Sequence, residues 1–120
     1  MTPTQIQDRL RSALNELPDT PSGIAHALAE KGIKGVPYHA CACPIARYLR
    51  REAKLPIVYV SDTLALGYGG SGQGATWPLP EAVATFVEDF DSGQYKELED
   101  PNGLTREERW EVEDGGYEPL

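Results

Sequence analysis

The sequence predicts an α+β fold: helices packed with a small two- or three-stranded antiparallel β-sheet, in a single domain that carries an acidic C-terminal tail. Three observations predict it. Apolar residues recur at helical spacing in four separate stretches. Short runs of β-branched and aromatic residues fall between positions 57 and 79. Beyond Glu99 the composition turns to acid, proline and glycine. A chain of 120 residues has room for one modest core, so the expected division is a domain over 1–98 and an acidic tail or strap over 99–120.

Thr2-Pro3-Thr4-Gln5 opens the first helix, and Ile6, Leu10, Ala13, Leu14 and Leu17 line one face of it. Pro18-Asp19-Thr20-Pro21 breaks that helix and starts a second with Thr20 or Ser22 as cap. The second turns Ile24, Ala27 and Leu28 inward until Gly32 and is expected to lie antiparallel to the first. Residues 33–38 read as an irregular connector. A third helix from Pro44 to about Ala53 buries Ile45, Tyr48 and Leu49. It leaves Arg47, Arg50, Arg51 and Lys54 outward, a basic patch that is either a solvated face or a dock for an anion or for the chain's own acidic tail. Ile57–Val60 and Leu64–Tyr68 read as a hairpin across Ser61-Asp62-Thr63, with Ala75–Leu79 as a third strand that Pro78 confines to an edge. The glycine-rich run 67–74 lacks the lysine-serine pair of a phosphate-cradling loop and reads as a flexible connection. A fourth helix after Pro80 carries Val83, Phe86, Val87 and Phe90 as the stripe expected to cover the sheet. Thr105 and Glu108 have capping-box spacing for a short helix near residues 105–110.

The formal charge of −8 is uneven. Residues 1–54 hold eight Lys/Arg against five Asp/Glu (+3), and residues 55–120 hold three against fourteen (−11). Phosphate backbones would be repelled over most of such a surface, which argues against direct nucleic-acid binding. No apolar run is long enough to cross a bilayer, and the N-terminus lacks the charged and apolar parts of a signal peptide, so a cytoplasmic chain with no membrane partner is expected. No nucleotide fingerprint, catalytic triad order or calcium loop is present in the sequence, so no cofactor and no enzymatic role are expected.

The densest potential chemistry is His39-Ala40-Cys41-Ala42-Cys43-Pro44. Proline suits the first helical position, which makes Cys43 the N-cap and aims its sulfur at the positive end of the helix dipole. Three readings stand side by side: both thiols as small buried side chains, metal ligation by His39, Cys41 and Cys43, or redox or nucleophilic chemistry at Cys43 with His39 nearby. A structural zinc site usually takes four protein ligands with wider spacing inside each pair, which weighs against ligation. The other histidine, His26, sits among helical alanines.

Cys41-Ala42-Cys43-Pro44-Ile45-Ala46-Arg47-Tyr48-Leu49 and the run Pro78-Leu79-Pro80-Glu81-Ala82-Val83, continuing through Phe86 to Phe90-Asp91-Ser92-Gly93-Gln94-Tyr95, carry a resemblance. In these blocks the chain resembles a group of small proteins of actinobacteria and their phages for which no activity is established. The resemblance implies a similar compact fold, and a phage setting implies a host defence or regulatory protein as target. From the acidic C-terminal region itself, the function expected is a small acidic protein-interaction or regulatory module, with a thiol- or metal-dependent protein built on Cys41, Cys43 and His39 as its rival. Its protein partner would present a basic surface, met by Trp110 and Tyr117 as anchors and by Glu107, Glu108, Glu111, Glu113 and Asp114 as the steering charges.

Overall fold

Among the described residues, five helices and three strands follow in the order α1 (Pro3–Asn15), α2 (Pro21–Glu30), α3 (Pro44–Glu52), β1 (Ile57–Val60), β2 (Leu64–Tyr68), β3 (Gly74–Pro78), α4 (Glu81–Asp91) and α5 (Arg106–Glu113). A single 3-10 turn lies at Lys96–Leu98. This α+β architecture comes from a computed structural model that describes residues 1–113, with side chains as far as Arg109. The expected contributions of Tyr117 and Asp114, and of the side chains of Trp110, Glu111 and Glu113, lie outside the described residues.

Local chemistry explains the helix starts. Thr2 accepts from the N–H of Gln5 at 3.2 Å while the Gln5 side chain accepts from the N–H of Thr2 at 2.8 Å, a reciprocal capping box. Thr20 caps α2 through the N–H of Gly23 at 3.1 Å. Cys43 caps α3, its Sγ accepting from the N–H of Ala46 at 3.4 Å, and a proline follows each of these caps.

The sheet is antiparallel throughout, ordered β1-β2-β3, with Tyr59 opposite Leu66 and Ala65 opposite Trp77. Ser61 sets the β1–β2 turn by accepting from the N–H groups of Thr63 (3.2 Å) and Leu64 (3.0 Å). The third strand runs one residue earlier than the alternation predicts, and Pro78 ends it on the sheet edge.

Two packing expectations are corrected. α1 does not pair broadly with α2, and α4 does not cover the sheet. Instead α1 lies over β2 and β3, α3 backs β1, and α2 packs against α4. The reason is the small inner face of β2. Gly67 lets Ile6, Leu10 and Leu55 approach so closely that a Cβ there would lie 2.8 Å from the Leu55 Cδ1. The bulkier stripe of α4, with Phe86 stacked on Tyr95 at 5.2 Å, is buried in the same core beside α2. Each fully buried aliphatic or aromatic side chain stabilises the core by about 1.5–3 kcal/mol.

Candidate functional site: a latch between α3 and the acidic segment

Arg47 and Arg50 of α3 stand one turn apart, the second in the last turn, where the partial negative charge of the helix C-terminus favours it. They do not point into open solvent. Chain 99–109 lies across them, so the basic patch docks the protein's own acidic segment, one of the three roles open to it from sequence. Arg47 is the centre. Its Nε and Nη2 grip the two oxygens of Glu108 at 2.8 and 2.7 Å, and Nη1 reaches Asp100 at 2.7 Å. The remaining donors bond the carbonyls of Lys34 (3.0 Å) and Gly103 (3.1 Å). All five guanidinium N–H groups are thereby used, a geometry that lysine cannot reproduce.

Glu108 is satisfied just as fully. Oε1 accepts from Arg47 and from the N–H of Thr105 at 2.8 Å, and Oε2 accepts from Arg47 and Arg50. The N–H of Glu108 in turn donates to Thr105 Oγ1 at 3.2 Å, which completes the capping box read from the sequence. The side chain is 3% exposed, so Glu108, expected on the partner-facing surface, is held inside the molecule. Burial alone would raise its pKa. The hydrogen bonds from Arg47 and from the Thr105 backbone outweigh that and hold the carboxyl below its usual range. Asp100 is also lowered, first by the N–H of Asn102 and then by Arg47. Arg47 is raised, chiefly by its hydrogen bonds to Glu108. Two cations and two anions thus form a closed neutral quartet. No buried side-chain nitrogen or oxygen among the described residues lacks a partner.

Gly35 seats the base of this segment. It pairs with Glu99 as a parallel bridge, donating to Leu98 O and accepting from the N–H of Asp100, both at 2.8 Å. A Cβ at Gly35 would collide with the backbone nitrogen and Cδ of Pro44 and with the carbonyl of Ala42, so only glycine fits between the acidic segment and the cysteine corner. Neither Gly35 nor Asp100 stands out in the sequence, because their roles come from contacts across dozens of residues. Basic spacing on α3 and acid enrichment after Glu99 are the only signals that point toward the latch.

Both sulfurs are buried thiols, and they diverge. Cys43 belongs to the main core, where burial pushes its thiol up to about 12 against the opposing Ala46 N–H. The helix dipole does not prevail there, because low-dielectric surroundings penalise the thiolate more than one N–H favours it. Cys41 belongs to a second small cluster with Ala42 and Tyr59, flanked by Ile57, Leu66, Tyr68 and Leu104. Its Sγ lies 3.9 Å from the carbonyl oxygen of Glu108, and its own carbonyl accepts from Arg50. His39 is half-buried, and its carbonyl accepts from the N–H groups of Ala42 and Cys43. Among the described residues no three of His, Cys, Asp and Glu come together as a ligand set, so His39, Cys41 and Cys43 do not converge. His26 is exposed beside Glu30 at 3.6 Å.

A cleft of about 340 Å³ opens where the acidic segment meets β1, walled by Cys41, Arg50, Pro56, Ile57, Thr105 and Glu107. Glu107 is exposed on the first turn of α5, where the helix dipole favours its charge. No described helix is long and apolar enough to cross a membrane. No family model, curated protein or solved structure matches the chain.

Proposed function

We propose that the chain is a protein-interaction module that presents the acidic segment around α5 to a partner with a basic surface. The observation that carries the reading is the division of labour among the acids. Glu108 and Asp100 tie the segment to α3, while Glu107 stays exposed on the first turn of α5. Glu111, Glu113 and Asp114 follow it directly in sequence. Anchoring the helix start lowers the entropy cost of offering those charges to a partner, and complementary charge favours encounter.

The test is affinity capture with the full chain and with a variant carrying Glu107→Lys, Glu111→Lys and Glu113→Lys. Glu108 is kept so that the latch stays shut. Recovery of the partner is expected to fall about tenfold or more in the variant, since three lost or reversed ion pairs add up to over 1.4 kcal/mol. Recovery by the intact chain is also expected to weaken as salt rises. Equal recovery of the same partner by both proteins overturns the reading.

A further inference from the structure

The acidic segment is a surface element held at two buried points. Leu98, 1% exposed, fixes its base in the core, yet α5 has no broad packing partner among the described helices and strands. Among the described residues beyond Glu99 the hydrogen bonds and ion pairs to the body are Asp100 and Glu108 on Arg47, Glu108 on Arg50, the Gly103 carbonyl on Arg47, and the Glu108 carbonyl facing Cys41. Leu104 is its apolar contribution to the cluster around Cys41. The main core, among the described residues, runs from Ile6 through Leu98 and includes no residue of the segment. An element whose described ties to the body are largely ionic, and which adds no described residue to the main core, has the makings of a separately opening unit.

We propose that residues 100–113 form a strap that swings open about Leu98–Glu99 while the body stays folded, and that Arg47 and Arg50 are internal competitors which a cationic partner must displace to take Glu108. The shut strap presents Glu107 and withholds Glu108 and Asp100, so it is an autoinhibitory contact for those two carboxylates alone, and this regulatory role rests on the protein-interaction reading above. Opening frees the Glu108 and Asp100 carboxylates for the partner and uncovers Cys41, the thiol beneath the strap. Cys43, two residues on, points into the main core and stays covered. The two sulfurs therefore report independently on strap and body.

The experiment is site-resolved alkylation of the intact protein by N-ethylmaleimide, read by mass spectrometry, for the native chain, Glu108→Gln and Arg47→Met. Each substitution removes the charge on one side of the latch, and Cys41 is expected to react at least tenfold faster in both variants with Cys43 unchanged. Equal acceleration of both thiols, which marks melting of strap and body together, overturns the proposal, as does no acceleration of Cys41. An oligo-arginine peptide added to the native chain is expected to speed Cys41 labelling beyond sodium chloride at matched ionic strength. If peptide and salt act equally, displacement by a cationic partner is overturned. The partner-binding reading fails separately, in the capture experiment, because its variant leaves Glu108 in place.

Discussion

Arg47 and Tyr48 are neighbours on α3 with opposite duties. Arg47 gathers charge at the surface of the body, and Tyr48 fills the core and donates its hydroxyl to the Ala13 carbonyl at 2.7 Å. That bond pins the end of α1 to α3. Tyr48→Phe removes the donor but leaves Ala13 O a second partner, the N–H of Glu16 at 3.3 Å. The loss is therefore expected to stay near ~1 kcal/mol, without the larger penalty of an orphaned carbonyl. Urea denaturation should show a lower midpoint at unchanged slope. At this scale much was legible in the sequence. Thr2, Thr20 and Cys43 announce their capping roles through the prolines that follow them. The divergence of the two sulfurs was not legible, because residues two apart share a face on an extended chain, and it comes from the turn in which His39 O accepts from the N–H groups of Ala42 and Cys43. Glu108 was legible only in part. Its spacing from Thr105 foretells the capping box, but nothing local foretells Arg47, 61 residues away.

Among the elements, periodicity told which face of each helix is buried and left open what buries it. The stripe Val83, Phe86, Val87 and Phe90 belongs to the core as expected, yet the neighbour of α4 is α2, because the small residues of β2 admit the slimmer face of α1. The connector 33–38 likewise read as irregular, and it is irregular save at Gly35, where it bridges Glu99. Gly35→Ala tests that junction. The added methyl would meet the Pro44 nitrogen and ring and the Ala42 carbonyl, none of which is the end of a flexible side chain, so overpacking is expected to cost about 1–3 kcal/mol. The same substitution should loosen the strap, which predicts faster amide exchange at Asp100 together with a lower thermal midpoint. A midpoint equal to that of the native chain would show that the corner yields freely.

For the whole molecule, the charged and buried groups set opposite pH limits. Glu108 and Asp100 have folded pKa values below their ordinary 4.5 and 3.8, so the stability they contribute is present above those values and is lost as pH falls through the lowered folded ones. Asp91, raised chiefly by burial despite the N–H of Tyr38, offsets part of this acid-side loss. On the alkaline side Cys43 and Tyr48 are both pushed up to about 12 by burial, from 9.0 and 10.0. Their contribution is complete below those ordinary values and disappears as pH rises through the folded ones, because the unfolded chain releases its protons first. Denaturation profiles across pH should thus show a plateau between about 5 and 9 with losses on both sides. Removing Glu108 should flatten the acid limb and leave the alkaline one.

The sheet also bears on how this molecule can associate. On the outer edge of β1, the N–H of Val60 already donates to Ala40 O at 2.9 Å. On the outer edge of β3, Gln7 bonds the carbonyl of Thr76 at 3.2 Å, and Pro78 offers no donor at all. An incoming strand would find both ladders interrupted, so growth by β-augmentation, whether with a peptide ligand or toward fibrils, is disfavoured at either margin. That leaves side chains and their charges as the means of the recognition proposed above.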